Sequence, residues 1–134
     1  MGRNRPRKLT PLEAIVMDCV WEAGEATVRQ VRECIAPRRK LAYNTVLTVM
    51  RILREKGFLA SEREGRMDVY RPLVEREQMG RRSLSEVMER FFSGSAAAVV
   101  SQLLESEDVD ADELQAIRRE VNEKLAAERE GSGG

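Results

Sequence analysis

The sequence predicts a mostly α chain with one small β-hairpin, arranged as three helices, the hairpin and three further helices. Three observations predict it. Apolar residues recur at steps of three and four over most of the 134 residues, the spacing of one buried helical face. That period breaks once, between Phe58 and Pro72, where two short runs flank a tip containing glycine. Helix starts are marked by Thr or Asp with Glu or Gln three positions later, so that each side chain can cap the other's backbone amide.

Residues 1–9 form a basic arm, read as disordered. The first helix opens with Thr10 as N-cap, Pro11 in the first turn and Glu13 completing a capping box. Leu12, Ile15, Val16, Cys19 and Val20 share one face, and Gly24 ends the helix. The second helix repeats this logic. Thr27 and Gln30 form its box, Val28, Val31 and Ile35 point inward, and Pro37 stops it. Arg38, Arg39 and Lys40 form a basic loop. The third helix lies within "LAYNTVLTVMRILREKGFL", with Val46, Val49, Met50 and Leu53 inward and Gly57 as its stop. Its cap is Ala42, where Ser would serve better. Arg54 and Lys56 in its last turn complement the helix dipole.

The hairpin is expected over Phe58–Glu62 and Met67–Arg71, around a tip, "REGR", whose Gly65 can take a positive φ. Pro72 ends it. Helical spacing resumes after Val74 with Leu84, Val87, Met88, Phe91 and Phe92. Ser93–Ser95 break it, "AAAVVSQLL" forms a short apolar helix, and Asp110 with Glu113 starts a last one carrying Leu114, Ile117, Val121 and Leu125. Residues 129–134 read as a flexible tail. The expected domains are 10–73 and 74–128. The second is too small to bury much core alone, and a second copy of the chain is the simplest cover for its stripes.

Composition narrows the chemistry. There is no histidine, which removes the commonest general base and transition-metal ligand together. No nucleophile with its base and no phosphate loop is visible, so neither an enzyme nor a cofactor is expected. The dense carboxylates at Glu105, Glu107, Asp108, Asp110, Asp112 and Glu113 are explained by solvation and a helix N-terminus. Cys19 and Cys34 are too few for a disulfide framework or a metal site. They are expected to pack as small apolar residues in a reducing cytoplasm, with a redox pair as the alternative. No segment approaches the length of a membrane span, and the basic start lacks the apolar core of a secretory signal. Net charge is zero but unevenly placed. Residues 1–82 hold 18 Lys/Arg and 11 Asp/Glu, and residues 83–134 hold 5 and 12. Only the first half suits a polyanion.

Helix, helix, helix, hairpin is the order of a winged helix-turn-helix, in which the third helix enters the DNA major groove and the hairpin lies along the phosphates. The fold class is therefore a winged helix-turn-helix domain followed by a C-terminal three-helix dimerisation domain. With its apolar stripe inward, the third helix turns Tyr43, Asn44, Thr45 and Thr48 outward as candidates for base contacts. A merely solvated face would more commonly carry Glu, Lys and Gln. Arg38, Arg39, Lys40, Arg51, Arg63 and Arg66 are candidates for the DNA backbone, with Arg3, Arg5, Arg7 and Lys8 of the arm. A winged helix can also serve as a protein-interaction module, but such a module should expose apolar residues on this face.

The motifs "LTPLEAIVMDCVWE", "ATVRQV", "LAYNTVLTVMRILREKGFL", "REGRMDVYRPLV" and "FFSGSAAAVVSQLLE" resemble the BlaI/MecI family of bacterial repressors, the penicillinase-repressor type, over about Leu9 to Leu125. The resemblance implies a homodimer bound to dyad-symmetric, double-stranded operator DNA, with a recognition helix over Ala42–Lys56 and a wing over Arg63–Met67. It places the dimer interface on the C-terminal domain, where the apolar candidates are Leu84, Val87, Met88, Phe91, Phe92, Val100, Leu103, Leu114, Ile117, Val121 and Leu125. It also implies release by a signal such as cleavage by a membrane sensor protease. The best-studied members are cut at an Asn–Phe bond, whose nearest equivalent here is Gln102–Leu103. The cysteine cluster of the copper-responsive branch has no counterpart after Cys34.

Overall fold

The computed structural model describes residues 8–132. In chain order the elements are α1 (Pro11–Ala23), α2 (Val28–Ile35), α3 (Tyr43–Glu55), β1 (Leu59–Glu64), β2 (Met67–Pro72), α4 (Arg76–Phe91), α5 (Ala96–Glu105) and α6 (Ala111–Ser132). Both expected capping boxes form. The Thr10 and Thr27 hydroxyls accept from the amides of Glu13 and Gln30, each at 3.2 Å, and the Glu13 and Gln30 side chains accept from the threonine amides, each at 2.9 Å. α3 ends at Gly57, whose φ of 88° is costly for any residue with a Cβ. The Gly57 amide bonds the Arg54 carbonyl and the Phe58 amide bonds the Leu53 carbonyl. This paired closure reverses the chain into the hairpin.

The hairpin register pairs Leu59 with Pro72 and Glu64 with Met67, leaving Gly65 and Arg66 as a two-residue loop. Gly65 has φ 64°, the positive value that such tight hairpins require. Both strands run slightly past their expected ends. Ala26 adds a single bridge on Tyr70, with both backbone bonds at 2.8 Å. This ties the α1–α2 turn to the wing.

The core gathers under α3. Val46, Met50 and Leu53 are fully buried in one core with Val16, Met17 and Val20 of α1, Ile35 of α2, Phe58 just before β1, and Tyr70 of β2. Each such side chain contributes about 1.5–3 kcal/mol by leaving water. Met17 joins the core although the stripe read from spacing omitted it. The Tyr70 hydroxyl is buried with no hydrogen-bond partner among the described residues.

Three expectations are corrected. Cys19 and Cys34, expected as separate packing residues, are joined as a disulfide between α1 and α2, with Cα atoms 6.1 Å apart. Cys34 lies three residues after Val31, on the flank of the α2 apolar stripe, and the packing of α2 on α1 brings it over Cys19. At the far end, α6 continues to Ser132, so residues 129–132, expected in the tail, are helical. At the near end, Leu9 packs partly on the core and the Lys8 carbonyl accepts from Lys56 at 3.4 Å, so the arm is tied down from Lys8 onward. Arg3, Arg5 and Arg7 lie outside the described residues.

Contacts divide the chain into two compact units, 1–82 and 83–134, at the same position where net charge changes sign. In the first, Asp18 pairs with Arg76 at 3.5 Å, Arg76 lies over the Trp21 ring, and the Trp21 indole donates to the Val74 carbonyl at 2.8 Å. The second contains α5, α6 and most of α4, and none of its described residues is buried.

Glu13 also anchors α3. The residue is 6% exposed, and its carboxylate accepts from Lys56 at 2.8 and 2.9 Å. Burial alone would raise its pKa. The hydrogen bond and charge of Lys56, with the bonds from Thr10, outweigh that and hold it below the ordinary 4.5. Its stabilisation is therefore complete above the unfolded value and disappears as pH falls through the lower folded value. Glu13→Gln is expected to cost about 1–3 kcal/mol at pH 7 and to flatten the loss of stability below the ordinary carboxylate pKa, as measured by urea unfolding across pH.

Candidate nucleic-acid interface

Once Val46, Val49, Met50 and Leu53 are buried, the opposite side of α3 is determined by geometry. Asn44, Thr48 and Arg51 follow at i, i+4 and i+7 along one exposed stripe, with Thr45 beside them. Tyr43 stands at the first turn, 46% exposed. The expected base-reading residues therefore share one solvent face. Tyr43, Asn44 and Thr45 occupy the N-terminal turn, the part of a recognition helix that reaches base edges. No side chain caps this end.

Thr48 differs in detail from a freely rotating hydroxyl. It donates to the Asn44 carbonyl at 2.9 Å, so its proton is in use. What it offers outward is an acceptor lone pair and a methyl group, suited to an exocyclic amine or a thymine methyl.

Two residues missed as site residues fix this helix and the wing. Arg32 of α2 donates through Nε to the Leu41 carbonyl at 3.0 Å, holding the turn before α3. Arg54, read only as a dipole partner, donates through Nη1 to Ser61 Oγ at 2.9 Å, fastening the α3 end to β1. Neither contact has a helical or strand period, so no spacing rule points to it.

A family model described as penicillinase repressor matches residues 9–123. The chain belongs to this family. It is 36% identical over 118 residues to the transcriptional regulator BlaI of Mycobacterium tuberculosis, covering 87% of this chain and 84% of that protein. It is 24% identical over 121 residues to the methicillin resistance regulatory protein MecI of Mammaliicoccus sciuri, covering 90% and 98%. Among solved structures, the monomeric form of Bacillus licheniformis BlaI in complex with the blaP half-operator aligns with a TM-score of 0.46 at 24% identity, over 53% of this chain and 87% of that one. The family is one of repressors rather than enzymes, and this chain is a BlaI/MecI-like, DNA-binding transcriptional repressor.

The basic residues of the repressor fall into two groups. Arg39, Lys40, Arg51 and Arg66 are exposed and make no ion pair among the described residues. Arg63 pairs with the cross-strand Asp68 at 3.5 Å, and Arg38 approaches Asp18 at 3.9 Å. In these two the guanidinium charge already faces a carboxylate, whereas the first group presents its charge without such a partner among the described residues. Arg66 occupies the hairpin tip, where nothing covers it.

Removing the Arg32 clamp isolates its effect on the recognition helix. Arg32→Ala should lower unfolding free energy by about 1 kcal/mol and speed amide hydrogen exchange in the first turn of α3. Unchanged exchange there would show that the turn is held without it.

Proposed function

We propose that this repressor acts as a homodimer that occupies a dyad-symmetric operator, inserting one α3 into each of two successive major grooves about 34 Å, or a multiple of this, apart. The observation that carries the reading is the exposed, uncharged, hydrogen-bonding face of α3, backed by a fully buried stripe. Tyr43, Asn44, Thr45 and Thr48 read bases. Arg38, Arg39, Lys40, Arg51, Arg63 and Arg66 hold phosphates. The protein works in the cytoplasm, where chromosomal DNA is. No helix among the described residues is long and apolar enough to cross a membrane.

Residues 74–128 supply the dimer. Leu84, Leu103, Val121 and Leu125 are each about half exposed and Phe91 is 70% exposed, in helices whose periodic stripes have no buried partner. Val87, Met88, Phe92, Val100, Leu114 and Ile117 extend the same set. Val74 and Met79 pack on the first unit's core, but from residue 83 onward no described side chain is buried; such helices lack the main force that stabilises a fold, and a second copy supplies matching stripes.

Derepression follows from a signal that weakens this dimer, because a single subunit loses the effective concentration of its second contact. Proteolysis by a membrane sensor protease at Gln102–Leu103 is one such signal. Both residues are exposed on α5, a ten-residue helix of a length that is marginal by itself and can open to an extended form.

Electrophoretic shifts separate the roles. Asn44→Ala should cost about 1–3 kcal/mol on the operator and relax specificity, whereas Arg66→Ala should weaken all duplexes alike and reduce the salt slope by about one unit. Equal losses for both on random DNA would refute the assignment. Val121→Glu should give single subunits in sedimentation and lower operator affinity about tenfold or more; a variant that stays dimeric would move the interface elsewhere.

A further inference from the structure

We propose that Cys19 and Cys34 form a reversible thiol–disulfide site, oxidised by small-molecule disulfides, whose bond tightens DNA binding. The effect on DNA rests on the operator-binding reading above.

The chain has two cysteines in 134 residues, and the fold places them 6.1 Å apart between their Cα atoms, on two different helices. That separation lies in the range from which a bond forms or opens with little backbone movement. The two are unequal. Cys19 is buried in the α1 face of the core, whereas Cys34 is exposed on the last turn of α2. The exposed residue is the one a reagent from solution can reach first, and the buried one stands within bonding range to resolve the adduct.

The exchange balances. The Cys34 thiolate attacks one sulfur of a small disulfide, expelling a thiolate that takes up a proton. The Cys19 thiolate then attacks the Cys34 sulfur of the mixed disulfide and expels the second small thiolate. Two protein thiols give up two electrons and two protons, and the small disulfide leaves as two thiols.

The bond sits where it can act on the DNA face. The N-terminal end of α2 is already held by the Thr27–Gln30 box and the Ala26–Tyr70 bridge. Its C-terminal turn leads four residues later to Arg38, whose partner Asp18 is the neighbour of Cys19. Two residues before Cys34, in the same last turn, lies Arg32, which holds the turn before α3. Closing the bond therefore pins the end of α2, the basic loop and the entrance to α3 to α1. Opening it releases them together.

The test uses the full chain in a series of reduced and oxidised glutathione buffers, with free thiols counted by maleimide mass-tagging. Binding is titrated in parallel on a duplex carrying the promoter of its own gene and on a random duplex of equal length. The expected result is a change from two free thiols to none, with promoter affinity about fivefold or more higher in the oxidised form and a melting temperature higher by on the order of 10 °C. Cys34→Ser should bind like the reduced protein and ignore oxidant. Two free thiols throughout the series, or a bond that forms without changing affinity, would overturn the proposal while leaving operator binding intact. Preference for the promoter in neither state would instead overturn the operator-binding reading, and the effect proposed here with it.

Discussion

The molecule depends on how α3 is seated. Val46, Met50 and Leu53 have no exposed surface, and a helix with one stripe fully committed has no freedom to rotate about its axis. A turn of one residue, about 100°, would drive Asn44 or Thr48 toward the core and leave a buried polar group unpaired, a cost comparable with much of the stability of a small domain. The chemistry that α3 turns to solvent is therefore set by apolar packing on the opposite side. The Gly57 closure, the Glu13–Lys56 pair and the Arg54–Ser61 bond hold the last turn of the same helix to α1 and the wing.

Much of this was legible in the chain. Both threonine capping boxes, the Gly57 stop and the Gly65 tip are local signals that need only a few consecutive residues, and all four formed as read. The stripe of α3 was legible because its period is unbroken from Val46 to Leu53. Contacts between distant residues were not. The Cys19–Cys34 bond depends on how two helices cross, Arg32 reaches Leu41 across the helix-turn-helix turn, and Ala26 meets Tyr70 44 positions away. Glu13 shows the limit most plainly. Its cap was visible in sequence, but its burial and its partner Lys56 appear only after α1 and α3 have packed. Residues 129–132 erred the other way, since glycine and serine there suggested an unstructured end and the preceding helix carried through.

The two compact units solve opposite problems. The first reaches density with few aromatic residues, using Phe58 and Tyr70 as the large pieces and aliphatic side chains around them. The second has well-formed helices whose caps at Ser95 and Asp110 satisfy their first amides, but its leucines and valines remain half exposed. Local structure is thus specified there without a local core. In the proposed dimer such a unit would couple association to stability, so that the concentration of the chain would become part of its folding equilibrium.

The opposite signs of the two units have an effect before any contact is made. A duplex attracts residues 1–82, which are net basic, and repels residues 83–134, which are net acidic. Both forces act while the partners are still separated by a Debye length or so, about 8–10 Å of physiological solution. Zero overall charge removes the long-range pull that a uniformly basic protein would feel toward any polyanion. Attraction to nucleic acid therefore belongs to the first unit alone and is opposed by the second.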